Sequence, residues 1–174
     1  MIQRYSLVLC LICAPTVLHV GCGASSSATT AETSGNESAQ LEAILSDYEA
    51  MRVALAADKL DEVPALAVKL ETSAKAAQAN ATGEVATPIA AIVRDVQALK
   101  SGGEPDVVRR HFGDLSHSVV TILASNESLR TNRHVFECPM AQGYQKWVQP
   151  TANVENPYMG SSMLRCGGPS NWTP

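Results

Sequence analysis

Apolar residues between Ala39 and Leu123 recur at three- and four-residue steps, the spacing of one face of an amphipathic helix. The first run consists of Leu41, Ile44, Leu45, Tyr48, Met51 and Leu55. Three further runs follow signals of a helix start, which are Asp61 with Pro64, Thr87 with Pro88, and the acidic pair Glu104 and Asp106. Because short connections join the runs, the pattern predicts an all-α fold, an up-and-down four-helix bundle over residues 39–133.

The last part of the chain, residues 134–174, has a different composition. It holds five of the seven aromatic residues and three of the four methionines that follow position 22, together with several prolines and glycines. Prolines and glycines at this density disfavour long helices. We therefore expect an irregular lobe, rich in Cys, Met and aromatic residues and packed on the bundle, with one short helix near Tyr144–Gln149.

The N-terminal segment, residues 1–22, has the pattern of an export signal. A single basic residue, Arg4, precedes an apolar run that ends at Val20, and this run is interrupted by Pro15 and too short for a membrane-spanning helix. Its end, "LHVGC", resembles the bacterial lipoprotein processing site, which implies lipidation of Cys22. Cleavage by an ordinary secretory route remains the alternative. Either route predicts export to the bacterial cell envelope, and lipidation predicts a membrane anchor on its periplasmic face or at the cell surface.

Residues 23–38, "GASSSATTAETSGNES", contain almost no side chain that could pack in a core. This composition predicts a flexible linker that would hold the folded part away from the membrane. A disordered tail without a spacing role fits the same residues.

Charge and residue pattern exclude two classes of function. The formal net charge is −4 and no Lys/Arg-rich stripe occurs, so the chain lacks the electrostatic features of a nucleic-acid-binding protein. Ser116, His117 and Asp114 are neighbours along one predicted helix and would point in different directions, so they do not predict a catalytic triad. We expect a protein that is not an enzyme.

Two cysteines remain for chemistry once the signal leaves with Cys10 and Cys13 and lipid modifies Cys22. Cys138 and Cys166 stand in two short clusters with Met140 and Met163, and thiolate with thioether sulfur favours Cu(I) or Ag(I) over hard ions. His134 is a further candidate ligand, although an ordinary loop histidine fits its position as well. In an oxidising compartment a disulfide between Cys138 and Cys166 competes for the same sulfurs. The spacing alone leaves both possibilities open.

The stretches "RRHFGDLS", "ECPMA", "KWVQ" and "VENPYMGSSMLRCG" resemble an uncharacterised bacterial domain family. That family is found fused to, or encoded beside, the membrane-fusion adaptors of copper and silver efflux pumps. The resemblance runs from the first helix to Gly167 and implies that Cys138, Met140, Met163 and Cys166 occupy the sulfur positions of its motif. The positions implied to support the motif are Trp147, Asn156, Pro157, Tyr158 and Gly160. Met159 departs from the family pattern, which has an aromatic residue there, and the connection "AQGYQKW" is short.

These observations lead to one main hypothesis and two alternatives. The main hypothesis is a lipid-anchored envelope protein that binds Cu(I) or Ag(I) and sequesters the ion or hands it over, as an accessory to metal resistance. The first alternative is an interaction module, stapled by a Cys138–Cys166 disulfide, that docks on an efflux adaptor and has no metal site. The second is a redox protein that cycles the same cysteine pair.

Overall fold

The structure, a computed structural model, describes residues 27–174, with side chains from residue 35 onward. The predicted signal over residues 1–22, with the lipidation candidate Cys22, lies outside the described residues, as do residues 23–26 of the predicted linker. The described chain is mostly helical. It contains four α-helices followed by a small antiparallel sheet of three strands near the C-terminus, so an all-α class describes the helical part and omits the sheet.

The four helices are α1 (Ser27–Ala56), α2 (Val63–Gln78), α3 (Ala86–Lys100) and α4 (Pro105–Ser125). Pro64 and Pro105 stand at the first or second position of α2 and α4, where a missing N–H costs no hydrogen bond. The helix-start signals of the sequence are thus confirmed for these two elements. Helix α3 begins two residues before Pro88.

Helix α1 begins earlier than the hydrophobic pattern predicts. It runs through residues 27–38, which the composition assigned to a linker, and the role of these residues as a linker stays a prediction. The apolar positions of α1 from Leu41 onward are buried and fix the helix in place.

Contacts between helices show that α1 runs antiparallel to α2 and to α4, and that α2 runs antiparallel to α3. In each pair of helices, the residue numbers rise along one helix as those of the contacting residues fall along the other. The pairs are Gln40 with Ala76 and Asp47 with Ser73 between α1 and α2, Pro64 with Gly102 and Glu71 with Lys100 between α2 and α3, and Tyr48 with Ser116 and Leu55 with Arg109 between α1 and α4.

The C-terminal residues form strands β1 (His134–Glu137), β2 (Lys146–Gln149) and β3 (Gly168–Pro169), with β1 in the middle of the sheet. In the β1–β2 pair Phe136 lies opposite Trp147 and Val135 opposite Val148. The short helix expected near Tyr144–Gln149 is wrong, because Lys146–Gln149 is strand β2. Aromatic and β-branched side chains that meet across two strands stabilise this pairing, and a four-residue strand carries too short a pattern to reveal it.

A buried polar network attaches the sheet to helices α1 and α4. Ser116 Oγ donates a hydrogen bond to the Lys146 carbonyl at 2.8 Å, and the Tyr48 hydroxyl lies 2.8 Å from the same Oγ. The Val148 N–H donates to the Tyr48 hydroxyl at 3.2 Å. Since every polar atom of this network has a partner, its burial between helices and sheet carries no unpaired-group penalty.

Candidate metal centre

The first sulfur cluster lies in a turn that follows strand β1. The Cys138 N–H donates to the Gln145 carbonyl at 3.0 Å, and the Cys138 carbonyl accepts a hydrogen bond from the Ala141 N–H at 3.1 Å. The intervening Pro139 suits the second position of such a turn. The Gln145 side-chain amide donates to the carbonyls of Pro139 and Ala141, both at 3.2 Å, and so fixes the loop that carries Met140.

The second sulfur cluster is organised by Asn156, which is completely buried. Its Oδ1 accepts hydrogen bonds from the N–H groups of Tyr158 at 2.7 Å and Met159 at 3.1 Å. Its Nδ2 donates to the Cys166 carbonyl at 2.7 Å. One side chain therefore closes the "NPYM" turn and holds the far end of the same segment, where Cys166 lies.

Gly167 brings the two clusters together. Its φ is +119°, a region that L side chains rarely adopt. A Cβ at this position would lie 2.8 Å from the Glu137 carbonyl oxygen and 2.9 Å from Cη2 of Trp147. The backbone after Cys166 can approach β1 this closely because residue 167 has no side chain.

The result is a chain of three sulfur atoms from two distant segments. The Sγ atoms of Cys138 and Cys166 are 3.7 Å apart, and Cys166 Sγ is 4.0 Å from Met140 Sδ. At a metal–sulfur bond length of about 2.3 Å, the value for zinc thiolates, ligands of one ion lie about 3.8 Å apart in tetrahedral geometry and about 4.0 Å apart in trigonal geometry. The observed separations match this spacing.

Both cysteines are free thiols in the structure. Cys138 has no exposed surface, whereas Cys166 is half-buried. The pKa of the Cys166 thiol is raised, first by the hydrogen bond that it shares with Cys138 and then by burial. Any ion that binds as a thiolate complex must therefore displace a proton from Cys166.

The structure does not bring every predicted ligand to this point. Met163 ends a short 3-10 helix, Gly160–Met163, and its side chain is 37% exposed. Its carbonyl accepts a hydrogen bond from the Cys166 N–H at 2.9 Å, but the sulfur contacts described above include Met140 and not Met163. His134 stands at the opposite end of strand β1 from Cys138, which places the two residues about 13 Å apart at the rise of an extended strand.

The motif-supporting aromatic residues belong to the core between the lobe and the helices. Trp147 and Tyr158 are buried, and their rings meet edge to face at 5.9 Å. The Trp147 indole N–H donates to Gln149 Oε1 at 2.9 Å, and the Tyr158 hydroxyl donates to the Lys146 carbonyl at 2.6 Å. These contacts give both residues a packing role and fix the segments that carry the sulfurs.

Pro157 and Gly160 attach the turn to helix α4 and to the α1–α2 connection. The Pro157 carbonyl accepts a hydrogen bond from Arg109 Nε at 3.1 Å. Gly160 has φ +58°, and a Cβ there would lie 1.8 Å from Asp58 Oδ1. Asp58 in turn accepts hydrogen bonds from the N–H of Ser161 at 2.9 Å and from its hydroxyl.

Sequence reasoning missed two contributors to this geometry. Gly167 and Gln145 have no ligand chemistry, and their roles depend on approaches between segments that are far apart in the sequence. The only signal for Gly167 is a glycine pair directly after Cys166, which indicates an unusual backbone without naming its neighbours.

Among residues 27–174, no group of three or more His, Cys, Asp or Glu side chains is placed to hold a metal ion. The candidate centre therefore depends on methionine sulfur as its third ligand. In the same part of the chain, no helix has both the length and the apolar content needed to cross a membrane.

The chain was compared with protein-family models, with curated proteins and with solved structures, and none of the three comparisons gave a match. The resemblance to the efflux-associated domain family thus stays a prediction based on its motifs.

Proposed function

We propose that this protein binds a soft monovalent ion, Cu(I) or Ag(I), in the bacterial cell envelope and sequesters it or hands it over. Cys138, Cys166 and Met140 are the ligands, and Met163, whose side chain is exposed, is a further candidate ligand. The protein acts as a binding protein and not as an enzyme. Lipid on Cys22 attaches it to the membrane, and a metal-efflux membrane-fusion adaptor is its expected partner.

The observation that carries this proposal is the approach of Cys166 Sγ to two other sulfur atoms, Cys138 Sγ at 3.7 Å and Met140 Sδ at 4.0 Å. Thiolate and thioether ligands select Cu(I) and Ag(I), because both partners are polarisable. Calcium and magnesium require oxygen ligands in larger number than this cluster offers. Zinc would lack a fourth protein ligand of its usual kind, since no imidazole or carboxylate belongs to the cluster described here.

A competition titration tests the proposal. The exported protein, which has lost Cys10 and Cys13 with its signal, is reduced under anaerobic conditions and titrated with Cu(I) against a chromogenic chelator. We expect one ion per chain, with Cys138→Ser and Cys166→Ser each weakening the affinity by about 100-fold or more, and Met140→Leu by about tenfold. Met51→Leu is the matched control, because Met51 is buried in the helical core and should not affect binding. Equal affinity in wild type and both cysteine variants would remove the proposal.

A second function is favoured by the same separation of the cysteines. Two thiols 3.7 Å apart can close a disulfide after a small side-chain movement, which would turn the lobe into a stapled scaffold that docks on an efflux adaptor. This alternative predicts no free thiols in protein isolated without reductant, and no Cu(I) binding after reduction. Reduction would then only lower the melting temperature.

A further inference from the structure

The three sulfurs of the candidate centre differ in their access to solvent. The Met140 side chain is 57% exposed, Cys166 is half-buried, and Cys138 is completely buried. An ion from solution therefore reaches a thioether before it reaches the deeper thiol. The order of solvent exposure is Met140, then Cys166, then Cys138.

Met140 also borders a pocket to which a second methionine, Met159, contributes. This pocket of about 170 Å³ is lined by Met140, Met159 and Tyr158, together with Asp106, Arg109 and Arg110 of helix α4. Met159 is half-buried and packs against the core, and its N–H donates to Asn156 Oδ1 at 3.1 Å. Its backbone is thus fixed by the residue that also fixes Cys166, while its side chain borders the pocket.

We propose that Met140 and Met159 form the site where the Cu(I) or Ag(I) ion first binds, and that the ion then moves along Met140 and Cys166 to Cys138. This inference rests on the proposed function of the sulfur centre. Neutral thioethers hold soft ions more weakly than thiolates, so the methionine pair captures and releases the ion easily while the cysteines retain it.

Each step of this transfer is a ligand exchange. The ion forms a bond to Cys166 sulfur as the thiol proton passes to water, and the bond to Met159 breaks. A bond to Cys138 sulfur then forms with loss of its proton. The ion stays monovalent throughout, so no oxidant or reductant takes part.

A methionine used for capture should affect rates and leave affinity unchanged. Rapid mixing of the reduced, exported protein, which lacks Cys10 and Cys13, with Ag(I), followed by the ultraviolet absorbance of the silver–thiolate bond, measures this. We expect Met159→Leu to slow association about tenfold and to slow release by the same factor, with the equilibrium affinity within about twofold of wild type. Met51→Leu, the buried control, should have wild-type rates.

Met159→Gln provides the second variant, because it lacks sulfur but keeps a long, flexible side chain. The inference predicts equal slowing in Met159→Leu and Met159→Gln. Wild-type rates in either variant, or a slower rate in only one of them, would overturn it while the sulfur centre itself stands. Failure of the wild-type protein to bind Ag(I) at all would overturn the proposed function and this inference together.

Discussion

At the scale of single residues, the candidate centre depends on a position without a side chain as well as on its ligands. Gly167 has no side chain, and this lets the segment after Cys166 lie against Glu137 and Trp147. Cys166 reaches Cys138 because the two backbones can approach this closely. The following glycine, Gly168, has no such neighbours, since a Cβ there would meet nothing within 4 Å.

Replacing Gly167 by alanine should therefore separate the two cysteines. We expect Gly167→Ala to lower the free energy of unfolding by about 3 kcal/mol, from backbone strain and from the two close contacts together, and to weaken Cu(I) binding. Urea denaturation and the Cu(I) competition titration measure the two effects. Gly168→Ala is the matched control and should change the unfolding free energy by less than about 1 kcal/mol. Equal behaviour of the two variants would contradict the role given to Gly167.

Asn156 is the second residue on which the site depends, because its buried amide satisfies two N–H groups and one carbonyl. Asn156→Ala leaves these groups unpaired, and we expect a loss of about 3 kcal/mol in the free energy of unfolding. The exposed Asn153, replaced by alanine, should cost less than about 0.5 kcal/mol. Chemical denaturation of both variants checks this prediction, and a loss below 1 kcal/mol for Asn156→Ala would count against it.

At the scale of elements, the short helix Gly160–Met163 is held by the turn between α1 and α2. Asp58 in that turn accepts hydrogen bonds from Ser161 and forms an ion pair with Arg109 of α4. These contacts lower the pKa of the Asp58 carboxyl, with the Ser161 hydroxyl as the first cause. The ionised form of Asp58 is therefore the form that the fold stabilises.

The lowered pKa of Asp58 predicts an acid-dependent part of stability. This part is present above the unfolded pKa of about 3.9 and is lost as the pH falls through the lower pKa of the folded state. Asp58→Asn lacks it, so wild type should lose more stability than this variant between pH 6 and pH 3, as measured by urea midpoints. The exposed Asp61→Asn serves as control and should follow wild type. Parallel pH profiles for wild type and Asp58→Asn would refute the prediction.

The sequence predicted helices much better than strands, for a physical reason. A helix of fifteen or more residues repeats its apolar face several times, so the period marked α2, α3 and α4. Pro64 marked the start of α2, and the acidic pair Glu104 and Asp106 marked the start of α4. Strands β1 and β2 have four residues each, and their stability comes from pairing with one another and from packing on the helices. Helix α1 also covers residues 27–38, where the sequence has no apolar pattern that could have predicted it.

For the candidate site too, the sequence indicated the residue types but not the contacts between segments that are far apart in the chain. Residue type pointed to Cys138, Met140, Met163 and Cys166, because few side chains offer soft ligands. Which of them meet is decided by the turn after β1, by Asn156 and by the missing side chain of Gly167. His134 could not be separated from the ligands by spacing alone, because four residues span about 6 Å in a helix and about 13 Å in a strand.

At the scale of the whole molecule, the helices and the C-terminal lobe share one hydrophobic core. Buried residues from α1 to α4 form a single cluster with Phe136, Trp147 and Tyr158 of the lobe. Tyr158 contacts Phe112 of α4 edge to face at 5.8 Å, and Phe112 stacks on Tyr48 of α1 at 5.2 Å. Buried Arg52 adds hydrogen bonds from α1 to the carbonyl of Glu155 and to the carboxylate of Glu49.

A shared core predicts that the lobe and the helices unfold together. Near-ultraviolet circular dichroism reports mainly on the lobe through Trp147, and far-ultraviolet circular dichroism reports mainly on the helices. We expect the two signals to give the same urea midpoint, as in a two-state transition. A lobe signal that is lost at lower urea than the helical signal would show that the lobe folds separately.

The most direct test of the sulfur site is X-ray absorption spectroscopy at the copper edge of the reduced, exported protein, without Cys10 and Cys13, loaded with one Cu(I). We expect a first shell made of sulfur alone, with two or three scatterers at about 2.3 Å. In Cys138→Ser this shell should lose a sulfur or the protein should retain no copper. A shell of nitrogen and oxygen atoms in wild type, or a shell unchanged by loss of Cys138, would contradict the claim.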